Sequence, residues 1–379
     1  MTSLRISLVD PSASTPPYDH LLAAALSRAG AEVELLTSRF VYGPVPEVRG
    51  YSSREVFYRR SGRAGLGSRR RLPLKALSHG PDMIRVRSRL AGADVAHWQW
   101  VALPPADRLL LGPRPGARPR AFTLHYPLPE PGKRRALAAQ RRLLSRFDAV
   151  ISHTEAGARR LIADVGLEPE RVHVIPHGPL DYLTELEPGP LPAELNGAEG
   201  PVILFFGLLR DYKGVDTLLE AFARMDSSTG AELWIAGMPR MPLEPLYELA
   251  GRAPGTVRFL PRFIPDPEIP ALLRRADVLA LPYREIEQSG VLHAGLAFGK
   301  PMVLGDVGGF SEVGARGAAR LVPPDDPDAL ASELTELVAD RAQRDRLAAA
   351  AREAARGDFG WDAIATRTIG LYRAIISGR

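Results

Sequence analysis

The chain contains no cysteine, which excludes disulfides and thiolate metal sites. No stretch approaches the roughly 18 uninterrupted apolar residues of a membrane span. The opening "MTSLRISLVDPSAST" has too short an apolar run for a secretory signal and leads straight into a strand-like segment, so the expected compartment is the cytoplasm. Neither the GxGxxG dinucleotide fingerprint nor the GxxxxGK[ST] phosphate loop occurs, and no HExxH zinc pair lies on a helix. Repeats of the solenoid kind are also missing.

What remains is a chain of 379 residues, long enough for two ordinary domains, with 45% hydrophobic and 25% charged residues as in soluble globular proteins. Its charge is lopsided. Residues 1–180 carry 28 Lys and Arg against 15 Asp and Glu, a net +13, and the remainder is net −8. A basic half implies an anionic partner: a membrane surface, a nucleic acid or a charged substrate. The densest cluster is "YRRSGRAGLGSRRRLPLK", residues 58–75. It fits either a solvated Arg-rich loop or a membrane-facing patch. No nucleic-acid motif accompanies it, and nucleic acid is not among the expected partners.

Strand-like and helical segments alternate. The strand-like ones in the first half are "LRISLVD", "AEVELLT", "DVAHWQW", "RAFTLHYPLP", "DAVISHT" and "RVHVIPHG". Residues 181–200, rich in Pro, Gly and acid, read as a linker. Alternation then restarts with "PVILFFG", "AELWIAG", "TVRFLP", "ADVLALPY" and "KPMVLGD". This order predicts an α/β protein of two Rossmann-like, doubly wound parallel-sheet domains, 1–180 and 201–360. Ligands of such sheets bind outside the strand carboxyl ends, here expected in a cleft between the two domains.

Two stretches could hold an anion. "FFGLLRDYKG" (205–214) follows a strand and opens a helix, so N–H groups, the helix dipole, Arg210 and Lys213 could hold a phosphate, with Gly207 at the turn. A tight turn with two exposed cations reads the same way. Glu287, Gln288, Ser289, Gly290 and Val291 start another helix, where Ser289 is either a cap alone or part of a second phosphate site. Gly308 and Gly309 follow the next strand and allow close backbone approach. In the first half, His97, His125, His153 and His177 stand at or near strand carboxyl ends, and His20 lies at the first loop–helix junction. They are too scattered for a zinc pair on one helix. Trp98 and Trp100 fit sugar stacking or core packing equally. "DDPD" (325–328) reads as a helix-capping loop rather than a metal motif.

The ordered series "ILFFGLLRDYKGVDTLLEAF", "ELWIAG", "VRFLPRFIPDPEIPALLRRADVLALPY", "SGV…GLAFGKPMVLGDVGGFSEV", "ARLVPPDDPDALASEL" and "FGWDAIATRTIGLYR" resembles the retaining glycosyltransferases of family 4, which have the GT-B fold. The first half matches more loosely, through "TLHYPLPE", "DAVISHTEAG" and "VIPHG". The resemblance implies a nucleotide-diphosphate sugar donor, UDP- or GDP-linked, and a sugar-containing acceptor. It implies no metal and no further cofactor. Lys213 and Arg210 would face the diphosphate, and Ser289–Val291 would offer it backbone N–H groups. Arg262, Phe263 and Ile264 would lie near the base, and Gly308 and Gly309 would line the sugar side. His125 would stand near the reacting sugar, with His20 and His97 on the acceptor side. Residues 361–379 would form a helix crossing back to the first domain. The basic first domain implies peripheral contact with the inner face of a membrane. The sequence departs from the family at Leu208, where an Arg is usual, and at Ile286 and Ala294, where the family has two glutamates. The second of these commonly contacts the ribose.

Overall fold

The computed structural model describes residues 3–59, 71–112, 118–130 and 132–378. It divides into two units, Met1–Gly178 with Trp361–Arg379, and Pro179–Gly360. The centre of the Arg-rich stretch, residues 60–70, lies outside the described residues. Among the described residues no helix is long and apolar enough to cross a membrane.

The first unit is a seven-stranded sheet of β1 (Arg5–Asp10), β2 (Glu32–Ser38), β3 (Ser52–Phe57), β4 (Val95–Trp98), β5 (Arg120–Thr123), β6 (Ala149–Ser152) and β7 (Val172–Val174). Its order is β3-β2-β1-β4-β5-β6-β7. Neighbouring strands pair in parallel, Ile6 lying opposite Val33 on one side and Val95 on the other. Alternate residues of β1 feed different cores: Ile6 and Leu8 enter one cluster and Val9 another. That is the signature of a sheet buried on both faces. The last helix, Trp361–Ser377, lays Trp361, Ile364 and Tyr372 into the cluster of Ile6 and Leu8 and packs beside helix Pro16–Arg28.

The second unit is a six-stranded parallel sheet of β8 (Val202–Phe206), β9 (Glu232–Ala236), β10 (Thr256–Leu260), β11 (Val278–Leu281), β12 (Met302–Gly305) and β13 (Arg320–Val322), ordered β10-β9-β8-β11-β12-β13. The fold class is therefore two Rossmann-like parallel-sheet domains. Leu204, Phe205, Leu233, Trp234, Leu279 and Val303 are all fully buried in its single core. Here the "VILFF" type of uninterrupted apolar strand is explained by helices on both faces.

The stretch 181–200 is not a free connector. It folds as a short helix, Tyr182–Glu185, and a 3-10 turn, Ala193–Leu195, and buries Leu183 and Leu195 in the second core. Two apolar side chains at that burial stabilise the attachment by about 1.5–3 kcal/mol each. "DDPD" caps a helix: the Asp326 side chain accepts from Ala329 N at 2.9 Å ahead of helix Pro327–Ala339. Asp325 instead takes Arg284 at 2.5 Å.

Candidate functional site

In the second unit, β8 ends at Phe206 and the chain turns at Gly207, whose φ of +126° suits glycine. A Cβ there would stand 3.1 Å from both the Lys213 ammonium and a Val291 methyl, so a side chain would push into the site. The 3-10 turn Asp211–Lys213 then carries the lysine inward, and helix Val215–Arg224 begins. Lys213 is 8% exposed. Its Nζ donates to Tyr283 Oη at 3.0 Å and lies 4.7 Å from the centroid of that ring. Burial, then the nearby Arg210 charge, lower its pKa to about 8. A lysine buried without a carboxylate is a cation short of an anion.

Facing it is the start of helix Gly290–Ala297. Ser289 sits at its N-cap, 6% exposed, and its hydroxyl makes no capping bond to the helix. The first N–H groups of a helix have no partner inside it and favour negative charge. Gly207, Lys213, Gln288, Ser289, Gly290 and Val291 line one cavity of about 320 Å³. That lies at the lower end of ligand-site volumes, about 300–1,000 Å³. Ile286 and Ala294 line it too, as do Leu180, Tyr182, Leu183, Leu208, Tyr212 and Ile269. Leu180, Tyr182, Leu183 and Ile269 belong to no motif, because a cavity wall drawn from separate stretches of the chain leaves no local pattern. Only the burial of Leu183 in the 181–200 segment hinted that this stretch does more than connect.

Other expected residues lie elsewhere in the same unit. Arg210 is exposed on the loop ahead of Lys213, and Glu287 precedes the lining residue Gln288 without itself lining the cavity. Arg262 is bound to Glu268 at 2.7 Å, Phe263 is 54% exposed and Ile264 is buried in the core. Gly308 and Gly309 open helix Gly308–Gly314, where Gly308 lies against the Ile286 carbonyl.

In the first unit the histidines gather around Tyr18. Its ring centroid is 4.7 Å from those of His125 and His177 and 5.2 Å from that of His153. Trp100 stacks on His125 at 5.6 Å, with an interplanar angle of 11°. Trp98 is core packing, at 2% exposed. Burial lowers the pKa of His97 to about 3 and of His153 to about 4, and holds His125 well below its ordinary value. His153 Nδ1 donates to Ile175 O at 3.0 Å. His125 Nε2 donates to Gln99 Oε1 at 2.9 Å, and its Nδ1 stands 3.3 Å from His153 Nε2. Both nitrogens of His125 thus face a buried neighbour.

His97 is enclosed rather than on an acceptor surface, bonded to Tyr372 Oη at 2.6 Å and Thr123 Oγ1 at 2.7 Å. His20 is not at a loop junction. It lies inside helix Pro16–Arg28, buried, with Nδ1 bonded to Tyr51 Oη. Sequence reasoning missed the carboxyl pair beneath that helix. Asp10 accepts N–H bonds from Ser12 at 3.0 Å and Thr15 at 3.3 Å. Asp19 lies beside it, 1% exposed, with Oδ1 unpartnered. Burial and then the Asp10 charge drive the Asp19 pKa well above its ordinary value. Among the described residues no three metal-binding side chains converge.

Two family models match the chain: "Glycosyltransferase Family 4" over residues 20–179 and "Glycosyl transferases group 1" over residues 200–340. The chain is a member of glycosyltransferase family 4, with the GT-B fold. It is 27% identical over 382 residues to a D-inositol 3-phosphate glycosyltransferase of Xylanimonas cellulosilytica, covering 93% of this chain and 89% of that one. A D-inositol 3-phosphate glycosyltransferase of Jonesia denitrificans is 30% identical over 263 residues, covering 64% of this chain; the match spans 60% of the Jonesia protein's length. Among solved structures, Anabaena HepE in complex with UDP-glucose superposes with a TM-score of 0.68 at 19% identity, covering 98% of this chain and 100% of that one. At that identity the likeness speaks for the fold alone.

Proposed function

We propose that the protein transfers a sugar, of the hexosyl class, from a UDP- or GDP-sugar to a hydroxyl acceptor with retention of anomeric configuration. The observation that carries this is the convergence, in one cavity, of the buried Lys213 ammonium and the open N-terminus of helix Gly290–Ala297. Both stabilise the charge that grows on a diphosphate as the glycosidic bond breaks, and preorganised donors of this kind are worth about 10²–10³ in rate each. Arg210 adds a second cation from the loop. No divalent ion is needed in this scheme, because lysine, arginine and N–H groups supply the positive charge. The acceptor hydroxyl attacks from the face the diphosphate leaves, and the departing phosphate oxygen takes its proton. His125, fixed by Gln99, His153 and Trp100, orients sugar or acceptor. Arg262–Ile264 would flank the base, and Gly308–Gly309 the sugar.

The test is a thermal-shift series without metal against UDP, GDP, ADP, TDP and their sugars, on the wild type and on Lys213→Ala. Stabilisation of the wild type by one nucleotide, lost in the variant, is the expected result. No shift at millimolar nucleotide would favour a non-catalytic scaffold instead.

For the acceptor, one second reading has support: a phosphorylated small molecule, as in a sugar-phosphate synthase. Two relatives are named D-inositol 3-phosphate glycosyltransferases, and residues 1–180 are strongly basic. UDP release stimulated by inositol phosphate but not inositol would select it. A glycan, natural-product or lipid-linked acceptor predicts the reverse. In the lipid-linked case the Arg-rich stretch would give peripheral contact with anionic vesicles.

A further inference from the structure

The cavity has a charged end and an apolar end, and the apolar end bears on which nucleoside it takes. We propose that this site does not select for a ribose 2′-hydroxyl, so that 2′-deoxyribonucleoside diphosphates bind at least as tightly as ribonucleoside diphosphates. The proposal rests on the reading of the cavity as the donor diphosphate site.

A diphosphate held by Lys213 and the N–H groups at Gly290 places the attached pentose next along the cavity. On helix Gly290–Ala297, Ala294 lies on the face of Gly290, four residues on and about 5–6 Å further along the axis. Leu180 is beside it, its N–H donating to His293 O at 3.2 Å and its methyl 4.0 Å from where a Cβ on Gly290 would stand. Leu183, Ile269 and Ile286 complete the wall. No Asp, Glu, Asn or His lines the cavity. Of the polar side chains that do, Tyr182 donates its hydroxyl to Asp266 at 2.9 Å, Lys213 and Ser289 belong to the diphosphate end, and Tyr212 and Gln288 adjoin those two in the chain, away from Ala294.

A vicinal diol is two donors, and a site that recognises it supplies an acceptor, best a carboxylate. Sites built that way reject the analogue lacking the hydroxyl by large factors, because their own buried polar group is left unpaired. Here the relation inverts. Against Ala294 and its neighbours a 2′-hydroxyl gains no acceptor and loses water, which costs free energy. A hydrogen at that position loses nothing. The wall therefore admits sugars on deoxynucleoside diphosphates, the thymidine series included, alongside those on ribonucleoside diphosphates.

The test is titration calorimetry of the intact protein with UDP and 2′-deoxy-UDP, which differ only in the hydroxyl, and with TDP, which adds the 5-methyl group. The expected result is deoxy-UDP binding equal to UDP or up to about tenfold tighter. UDP binding more than threefold tighter than deoxy-UDP overturns the proposal. Ala294→Glu places a carboxylate at the wall and is expected to swing the ratio toward UDP by about tenfold, the worth of one charge-assisted hydrogen bond. Ala294→Leu should leave the ratio as in the wild type. If Ala294→Glu fails to fold, the wild-type pair still decides. Binding of both nucleotides, abolished by Lys213→Ala, with a strong UDP preference would sink this inference and leave the donor site standing. Binding of neither would sink both.

Discussion

The two sheets follow the same plan, parallel strands with the second half of each sheet built outward from the first strand, yet they treat buried charge in opposite ways. The second unit buries a cation. Lys213 sits under Gly207 with a tyrosine and no carboxylate, beside a helix end that also wants an anion. The first unit buries proton acceptors and keeps them neutral: seven of the eight histidines lie there, and His97, His125 and His153 are bonded to one another's neighbours rather than to acids. The buried lysine of the second unit has no acid beside it, whereas His97, His125 and His153 of the first are met by hydroxyls, an amide, a carbonyl and one another. An incomplete electrostatic site is where chemistry is prepared; a completed one is where geometry is fixed.

The largest effect expected from breaking this contrast is on Lys213. Replacing it with alanine should lower sugar transfer or donor hydrolysis by about 10²–10³-fold, as for loss of one preorganised donor. The melting temperature should hold or rise, because a desolvated cation has been removed. Retention of full UDP affinity would take the lysine out of the site. A pH series sharpens the point. The lysine titrates near 8, so diphosphate affinity should fall as pH rises through that value, and Lys213→Arg should flatten the dependence.

Acid should separate the two units. His20 and His153 have pKa values lowered to about 4, and His97 to about 3, all chiefly by burial. Between these values and the ordinary 6.5 the unfolded chain binds more protons than the folded one, so stability falls as pH drops through that window. Trp98, Trp100 and Trp361 report the first unit and Trp234 the second. Fluorescence of a variant keeping only Trp234 should stay native at a pH where the other three have already changed. Simultaneous transitions would refute the assignment.

A smaller effect is expected at Gly308, with a φ of +48° and the Ile286 carbonyl 1.8 Å from where a Cβ would stand. Gly308→Ala should cost about 1–3 kcal/mol in urea unfolding, by strain at a left-handed position and displacement of the loop that carries Ile286. Smallest is Asp19→Asn. The folded carboxyl has its pKa raised well up, so its stabilising proton is present at low pH and lost as pH rises. The asparagine variant should gain about 2–4 °C at pH 8 and less at pH 5. An equal gain at both would show that Asp19 is not protonated.

The central strands read most directly from the chain, because burial on both faces leaves apolar runs such as "PVILFF" and "ADVLAL". Two strands were missed, β3 and β13, both at the edge of a sheet, although the other two edge strands, β7 and β10, were read. In β3, Ser52–Glu55 face outward and only Val56 and Phe57 are buried, so no apolar run marks it. That Gly207, Lys213 and Ser289–Val291 share one cavity was legible because glycine, cation and helix start recur at a strand end. The apolar end of the cavity was not, since Leu180, Leu183 and Ile269 look like any core residue until the fold sets them opposite Ala294. His125 was legible as standing at a strand end but not in its bonding, which depends on Gln99 and His153, each just past the end of another strand.

The second unit is spliced into the first. The chain leaves at Gly178 and returns at Trp361, and the indole lies so close that a Cβ on Gly178 would stand 2.3 Å from it. A pull applied between β1 and the helix Trp361–Ser377 therefore loads only the first unit, since both handles belong to it. The inserted sheet feels no tension until the Gly178–Trp361 contact gives way. In an optical trap the first rip should release the first unit, and the inserted second unit, mechanically shielded, should unfold second and, on the proposed function, at a force that nucleotide raises.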